Sequence, residues 1–372
     1  MRARERLRQV RAELAQSFLE REAVIDGALV ALLAGHHVLL VGPTGTAKSL
    51  LADELCRRLE GSHYFQWLLT KFTTPEELFG AVSLRALEND DYRRVTTQKL
   101  PEAHIAFLDE VFKASSSILN SILTLVNERR FHNGRDVIGV PLITLFGASN
   151  ELPEDDELQA LYDRFLLRYV VEYIADDFRF LRMLQGRTPE QRTLLSLADL
   201  QRLQDDARRV TVPSQVFRAL ADIRRELGRK QLVASDRRYQ QAVSALRAHA
   251  YLNDREAVAD DDLFLLEHVL WHQPSERADV HAVIHQLLRG YEDEVKALLY
   301  QTQELRDYAH RQWENHDLRS RAVVEAHTKI RNILAKVTTI LEEARTNGRP
   351  LDTVQRVKHE IEGIQQAMLA AL

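Results

Sequence analysis

Apolar positions in the first half of the chain fall into five short runs, HHVLLVG, HYFQWLLT, HIAFLDE, PLITLFGASN and LLRYVVEYI, which read as buried strands. Segments of helical period, such as SLLADELCRRLE and SSSILNSILTLVNERR, lie between them. That alternation marks a parallel sheet covered by helices on both faces, so residues 1–174 are expected to form a doubly wound α/β domain. Two stretches interrupt it. Ala81 to Leu100 carries Asn89-Asp90-Asp91 between two short β-like runs, and RRFHNGRDVIGVP contains Asn133-Gly134, a strong hairpin signal. Both are expected to project as β-hairpins.

Over residues 175–275 the strand pattern gives way to helical segments with explicit start signals. Pro213-Ser214 precedes QVFRALADIRREL, Ser235-Asp236 precedes RRYQQAVSALRAHAYL, and Asp260-Asp261 precedes DLFLLEHVLWH. An all-helical second domain follows from this. Residues 276–372 change character again, to heptad stripes: Tyr291, Val295, Leu298, Thr302 and Leu305; then Val323, Ile330, Val337 and Ala344 with Ile333 and Ile340; then Val354, Val357, Ile361, Ile364 and Met368. The breaks are short, at ENHDL and at TNGRP, where Asn347-Gly348 and Pro350 stop a helix. Short loops between long helices predict an antiparallel three-helix bundle whose middle helix is about 40 Å long. An intermolecular coiled coil is the alternative.

Composition narrows the class. Apolar residues are 45% and charged residues 28% of 372, as in globular proteins, and no stretch approaches the roughly 20 apolar residues of a membrane span. The charged N-terminus, MRARERLRQVRAELAQ, lacks the apolar core of a secretory signal, so a cytoplasmic location is expected. The single cysteine, Cys56, reads as a small buried residue of the helix ADELCRRLE. A net charge of −5 makes nucleic acid an unlikely partner.

Candidate chemistry is concentrated at strand ends. Gly42-Pro43-Thr44-Gly45-Thr46-Ala47-Lys48-Ser49 follows the strand HVLLV and opens a helix continuing through Leu50; it matches G-x-x-x-x-G-K-[ST] except that Ala47 replaces the second glycine. Backbone N–H groups of such a loop cradle ATP or ADP phosphates, Lys48 would reach the β and γ oxygens, and the Ser49 hydroxyl would bind Mg2+. The strand HIAFLDE ends in Asp109, placed to hold the metal, and Glu110, placed to polarise the attacking water; taken alone, two acids at a strand end are a common solvated terminus. LITLFGASN ends in Ser149-Asn150, whose amide can contact the γ-phosphate or the water, although an Asx turn gives the same local pattern.

In ALYDRFLLRY, Arg164 stands before the fifth strand, too far along the sheet to reach its own phosphate easily, which suits a finger supplied in trans; a salt bridge to Asp163 is the plain alternative, and Arg168 the second candidate. Arg237, in Ser235-Asp236-Arg237-Arg238, starts a lid helix from which it could reach the nucleotide, with Arg238 as a neighbouring candidate.

GPTGTAKS, FLDE, NERRFHNG, ASNELPE, LYDRFLLR and VASDRRY, in this order over roughly residues 20 to 275, resemble the MoxR branch of the AAA+ ATPases and within it the RavA subgroup. The resemblance implies an AAA+ P-loop parallel sheet with β-hairpin inserts, a helical lid, ATP bound between subunits of a hexameric ring, and chaperone-like remodelling of proteins, often with a von Willebrand factor A domain partner. By motif position Lys48 and Ser49 match the Walker A residues, Asp109 and Glu110 the Walker B acids, Asn150 sensor 1, Arg164 the arginine finger and Arg237 sensor 2. The C-terminal helices resemble RavA's triple-helical domain, without room for its β-rich partner-binding insertion.

Two other functions compete. A nucleic-acid motor would put basic and aromatic residues on its inserts; ALENDDYRRVTTQK has Tyr92, Arg93, Arg94 and Lys99 but also Glu88, Asp90 and Asp91, a mixture that favours protein. A nucleotide-dependent switch or scaffold would be expected to have lost Glu110, Lys48 or the finger, and all are present.

Overall fold

The computed structural model describes residues 3–153, 156–185, 192–311, 316–346 and 349–370. It packs as two compact units, Met1–Val212 with Leu232–Arg277, and Pro213–Gln231 with Ala278–Leu372.

The first unit opens with α1 (Ala3–Ser17) and α2 (Glu22–Ala34). Four arginines of α1 tie it down: Arg4 donates to the Tyr251 carbonyl at 2.9 Å, Arg6 to Asp199 at 2.6 Å, Arg8 to Asp254, and Arg11 to Asp26. The charged N-terminus is therefore a strap of ion pairs across the unit. Next come β1 (His37–Val41), α3 (Lys48–Arg57), β2 (Leu59–Glu60), β3 (Tyr64–Leu68), α4 (Pro75–Phe79), α5 (Leu84–Leu87), β4 (Ile105–Asp109), α6 (Ser116–Glu128), β5 (Arg130–Asn133), β6 (Asp136–Gly139), β7 (Thr144–Ser149), α7 (Asp156–Tyr162) and β8 (Phe165–Val170). Five parallel strands pair in the order β3-β4-β7-β1-β8. These are the five apolar runs of the sequence, and β1 and β7 are buried along their whole length. Parallel pairing puts every strand's carboxyl end on one edge: Val41 is level with Ser149, and Leu68 with Asp109.

The two inserts differ from one another. RRFHNGRDVIG forms the expected hairpin, β5 with β6, but Gly134, at φ 67°, and Arg135 make the turn. Asn133 is instead the last strand residue; its side chain accepts from Arg94 N at 2.7 Å and donates to Arg94 O at 3.1 Å. The Ala81–Leu100 insert is not a β-hairpin. Ser83 caps the one-turn helix α5, its hydroxyl accepting from Ala86 N at 3.3 Å, and a single antiparallel bridge, Val82 to Arg94, closes the loop. A helix N-cap outcompeted the strand there, because Ser83-Leu-Arg-Ala-Leu offers a local turn whereas the facing run has only one residue in register.

After β8 the chain runs through α8 (Asp177–Leu184), β9 (Leu195–Ser196, parallel to β2), α9 (Leu197–Arg209), α10 (Ser214–Arg229) and α11 (Asp236–Leu252). Ser235 caps α11, accepting from Arg238 N at 3.2 Å. The segment after Asp260-Asp261 is helical as expected, but of the tighter 3-10 form, over Asp260–His268. The buried Asp262 carboxylate binds His249 at 2.7 Å, Ala259 N at 2.8 Å and Arg255.

In the second unit α10 groups with α12 (Arg277–Ala309, from Ala278 onward), α13 (His316–Thr346) and α14 (Asp352–Ala370), a division different from a cut at 275/276. The three C-terminal helices share one core in which Val295, Ile330, Val337, Val354 and Ile361 are fully or almost fully buried. The heptad stripes thus satisfy one another within the chain, and α13, 31 residues long, spans roughly 46 Å. The expected Asn347-Gly348 stop lies outside the described residues, as does part of ENHDL. Cys56 is buried, its sulfur 3.0 Å from Ser62 Oγ. No described helix is long and apolar enough to cross a membrane.

Candidate nucleotide site

The loop from Gly42 to Ala47 joins β1 to the N-terminus of α3, so its amides and those of the first helical turn lie where a helix end attracts anions. Its glycines are required by position. Gly42, at φ 152°, lies so close to β8 that a Cβ would sit 2.0 Å from the Val171 carbonyl oxygen, and Gly45 has φ 81° with open space around it. Ala47 occupies the left-handed region, φ 62°, the conformation for which the motif's usual glycine is suited; its methyl costs about 1 kcal/mol there. Pro43 and Thr46 brace the loop, Thr46 Oγ1 donating to Pro43 O at 3.0 Å. Thr44 O accepts from the Tyr173 hydroxyl at 3.3 Å, so the chain leaving β8 buttresses the loop from outside.

The Lys48 ammonium donates to the carbonyls of Gly42 at 2.8 Å and Pro43 at 2.6 Å. Burial lowers its pKa, opposed by the charges of Asp109 and Glu110. Ser49 follows within the first turn, its carbonyl 3.3 Å from the Tyr64 hydroxyl, and Leu50 is half exposed beyond it. Asp109 ends β4 half-buried, with Oδ1 accepting from Glu110 N at 3.0 Å. Glu110 has a positive φ of 51°, strain of the kind found where a side chain must be aimed. Its Oε1 accepts from Asn150 Nδ2 at 3.0 Å, and Oε2 lies 3.3 Å from Lys113 Nζ. The alternative of an Asx turn at Asn150 is not what forms; Ser149 makes the turn, donating to Glu151 O at 2.6 Å, and Asn150 faces the acid. A cleft of about 1200 Å³ opens here, lined among others by Val41, Asn150, Lys71, Lys113 and His272.

The structure sorts the arginines. Arg168 is fully buried, donating to the carbonyls of Trp271 at 2.5 Å, Tyr162 at 3.2 Å and Phe165 at 3.2 Å, with its guanidinium 3.7 Å above the Tyr162 ring. Burial, reinforced by Arg238, pushes its pKa down to about 9. A side chain so enclosed cannot serve a neighbouring subunit, which removes it as a finger. Arg238 is equally enclosed, donating to Phe165 O at 2.7 Å and lying 3.8 Å from Asp163. Arg237 points to solvent. Arg164 is half-buried, with Nε and Nη1 shielded and without a hydrogen-bond partner. Asp163 is engaged by Arg238, not by Arg164.

Lys113 and Tyr173 are contributors that the motifs do not mark. Lys113 could have been suspected from its place three residues after Glu110; Tyr173 touches the loop only through the tertiary fold.

Comparison with known proteins identifies the family and the fold. Residues 5–206 match the family described as the MoxR domain in the MoxR-vWA-beta-propeller ternary systems, and residues 215–284 match an AAA lid domain. Protein MJ0812 of Methanocaldococcus jannaschii is 36% identical over 97% of this chain and 98% of its own, and MJ0079 of the same organism is 41% identical over 78% and 76%. Chaperone MoxR1 of Mycobacterium tuberculosis is 28% identical over 52% of each chain. A crystallised ATPase candidate from Cytophaga hutchinsonii has the same fold, with a TM-score of 0.62 over 77% of this chain and 94% of its own at 16% identity. With a family model over more than half its length and relatives above one-third identity along most of it, the chain belongs to the MoxR family of AAA+ ATPases.

Proposed function

We propose that the chain hydrolyses ATP and uses the energy, as a ring of identical subunits, to remodel or assemble partner proteins. The observation that carries the reading is the meeting at one sheet edge of a phosphate loop, two acids and an amide: Lys48, Asp109, Glu110 and Asn150. The loop suits a polyphosphate, since α3 presents its N-terminus there and Gly45 leaves open space beside the backbone. Ser49 and Asp109 offer a hydroxyl and a carboxylate, hard oxygen donors that suit magnesium, which when bound would neutralise phosphate charge. Lys48 would leave its two loop carbonyls for the β and γ oxygens. Glu110 would take the proton of the attacking water, with Asn150 orienting that carboxylate. Arg237, exposed on α11, would act on the subunit's own nucleotide and Arg164 on the neighbour's. Transition-state stabilisation by such a finger is worth on the order of 10³ to 10⁵ in rate.

Lys48→Ala is expected to abolish nucleotide binding, and Glu110→Gln to bind ATP without turning it over. Wild-type turnover in the Glu110→Gln protein would refute the assignment. Mixing Arg164→Ala with Glu110→Gln subunits tests the trans arrangement: interfaces joining an intact finger to an intact glutamate should regain activity, and mixed rings that recover none would sink it. A hexamer, a cytoplasmic setting, RavA-like use of the C-terminal helices and a von Willebrand factor A domain partner complete the reading. The last is supported by the matched family's description, which names vWA systems. Proteins retained by the ATP-locked Glu110→Gln form, identified by mass spectrometry, would test the partner class.

A further inference from the structure

Between β4 and α6 the chain makes a tight turn, in which the Lys113 amide donates to the Glu110 carbonyl at 2.8 Å. Val111 N donates to Ala148 O at 3.0 Å and anchors the turn to β7. Starting from the left-handed backbone of Glu110, it delivers the Lys113 ammonium to 3.3 Å from Oε2, while Asn150 holds Oε1 at 3.0 Å. Asn150 thereby hydrogen-bonds one oxygen of the carboxylate, while the other, shielded and without a hydrogen bond, is held by the charge of Lys113 alone. The two partners differ in freedom: the Glu110 side chain is 13% exposed and that of Lys113 is 52% exposed. A general base needs an oxygen within hydrogen-bond reach of the water it activates, and Oε2, beside the ammonium, is shielded.

We propose that Lys113 is a positioning residue that holds Glu110 out of line, so that the basal rate is set by how often the lysine swings away. The inference rests on Glu110 being the residue that activates water. Lys113 can leave because its stem lies in solvent at the rim of the cleft that Asn150 also lines. Once it has left, Oε2 accepts the proton of a water whose oxygen forms a bond to the γ-phosphorus. The bond from that phosphorus to the leaving β-phosphate oxygen breaks, yielding ADP and phosphate. Slow hydrolysis without a partner, and acceleration by any contact that draws Lys113 outward, both follow from this arrangement.

Lys113→Met keeps the length and removes the charge. Because an ion pair with a half-exposed lysine is weakly held, kcat for ATP is expected to rise about two- to fivefold with KM unchanged, a split that a merely structural residue would not produce. Lys113→Arg, which retains the cation, should restrain turnover as lysine does. Adding Glu110→Gln to Lys113→Met should erase the gain and tie it to that carboxylate. If Lys113→Met does not fold, judged by thermal unfolding, Lys113→Gln carries the same expectation. An unchanged or reduced kcat in a folded, uncharged variant overturns the latch, and so does a gain that survives Glu110→Gln. A wild-type chain that binds ATP in the same assay but never hydrolyses it overturns the role of Glu110 and the latch with it, whereas an active wild type with an indifferent Lys113→Met overturns the latch alone.

Discussion

Acid should destabilise the first unit well above the pH at which ordinary carboxylates titrate. His37 is buried and His36 and His268 are half-buried; desolvation lowers His36 and His268 from 6.5 to about 4 and His37 further still, helped by the nearby Arg129. The geometry requires neutral rings: His37 Nδ1 accepts from Leu145 N at 3.0 Å, and His268 packs on Tyr169 at 4.3 Å with no partner for its Nδ1. A base whose folded pKa is depressed binds fewer protons folded than unfolded. Stability is therefore complete above about pH 6.5 and is lost as pH falls from there toward 4. At pH 5 the loss is about 2 kcal/mol for each of His36 and His268, hence about 4 kcal/mol together. At about 2–4 °C per kcal/mol for a unit of this size, the midpoint should drop by about 8–16 °C between pH 7.5 and pH 5. Thermal unfolding followed by circular dichroism at the two pH values is the assay. His268→Phe, which preserves the ring contact and cannot titrate, should remove about half of the drop. A midpoint that moves by under 2–3 °C, or a His268→Phe protein as acid-sensitive as wild type, would refute the reasoning.

Three further outcomes follow from the packing. Gly42→Ala should cost about 2–4 kcal/mol, because its methyl meets a backbone oxygen that cannot rotate away, and should lose ATP binding; urea unfolding together with nucleotide titration checks both. Arg238→Met removes a buried donor from the Leu166 carbonyl and one of two from the Phe165 carbonyl, which keeps Arg168, and should lower stability by about 3 kcal/mol, whereas Arg237→Ala should leave the urea midpoint in place and reduce kcat. Ile330→Asp puts a carboxylate in the fully buried core of the three C-terminal helices and should abolish the unfolding transition of the second unit, seen as lost helical ellipticity, with ATP binding retained.

The strands, most of the helices and the nucleotide motifs were legible along the chain because each is encoded locally. Five apolar runs demand burial wherever they lie, three heptad stripes demand one another, and a phosphate loop is a contiguous turn whose glycines announce their φ angles. Partition among neighbours was not legible. Arg237 and Arg238 are adjacent and chemically identical, yet the turn at Ser235 sends one into solvent and the other onto the Phe165 carbonyl. Arg164 and Arg168 stand four residues apart, and only strand pairing decides that Arg168 lies beneath Trp271. The Ala81–Leu100 insert reads as a hairpin along the chain, and the fold instead gives a capped turn, with Asn133, brought from the other insert, taking up the Arg94 backbone. Sequence by itself determined which groups are present and the order in which strands deliver them to one edge. The choice among equivalent side chains fell to the tertiary structure, because burial and hydrogen-bond satisfaction depend on partners 39, 73 and 103 residues away in the chain.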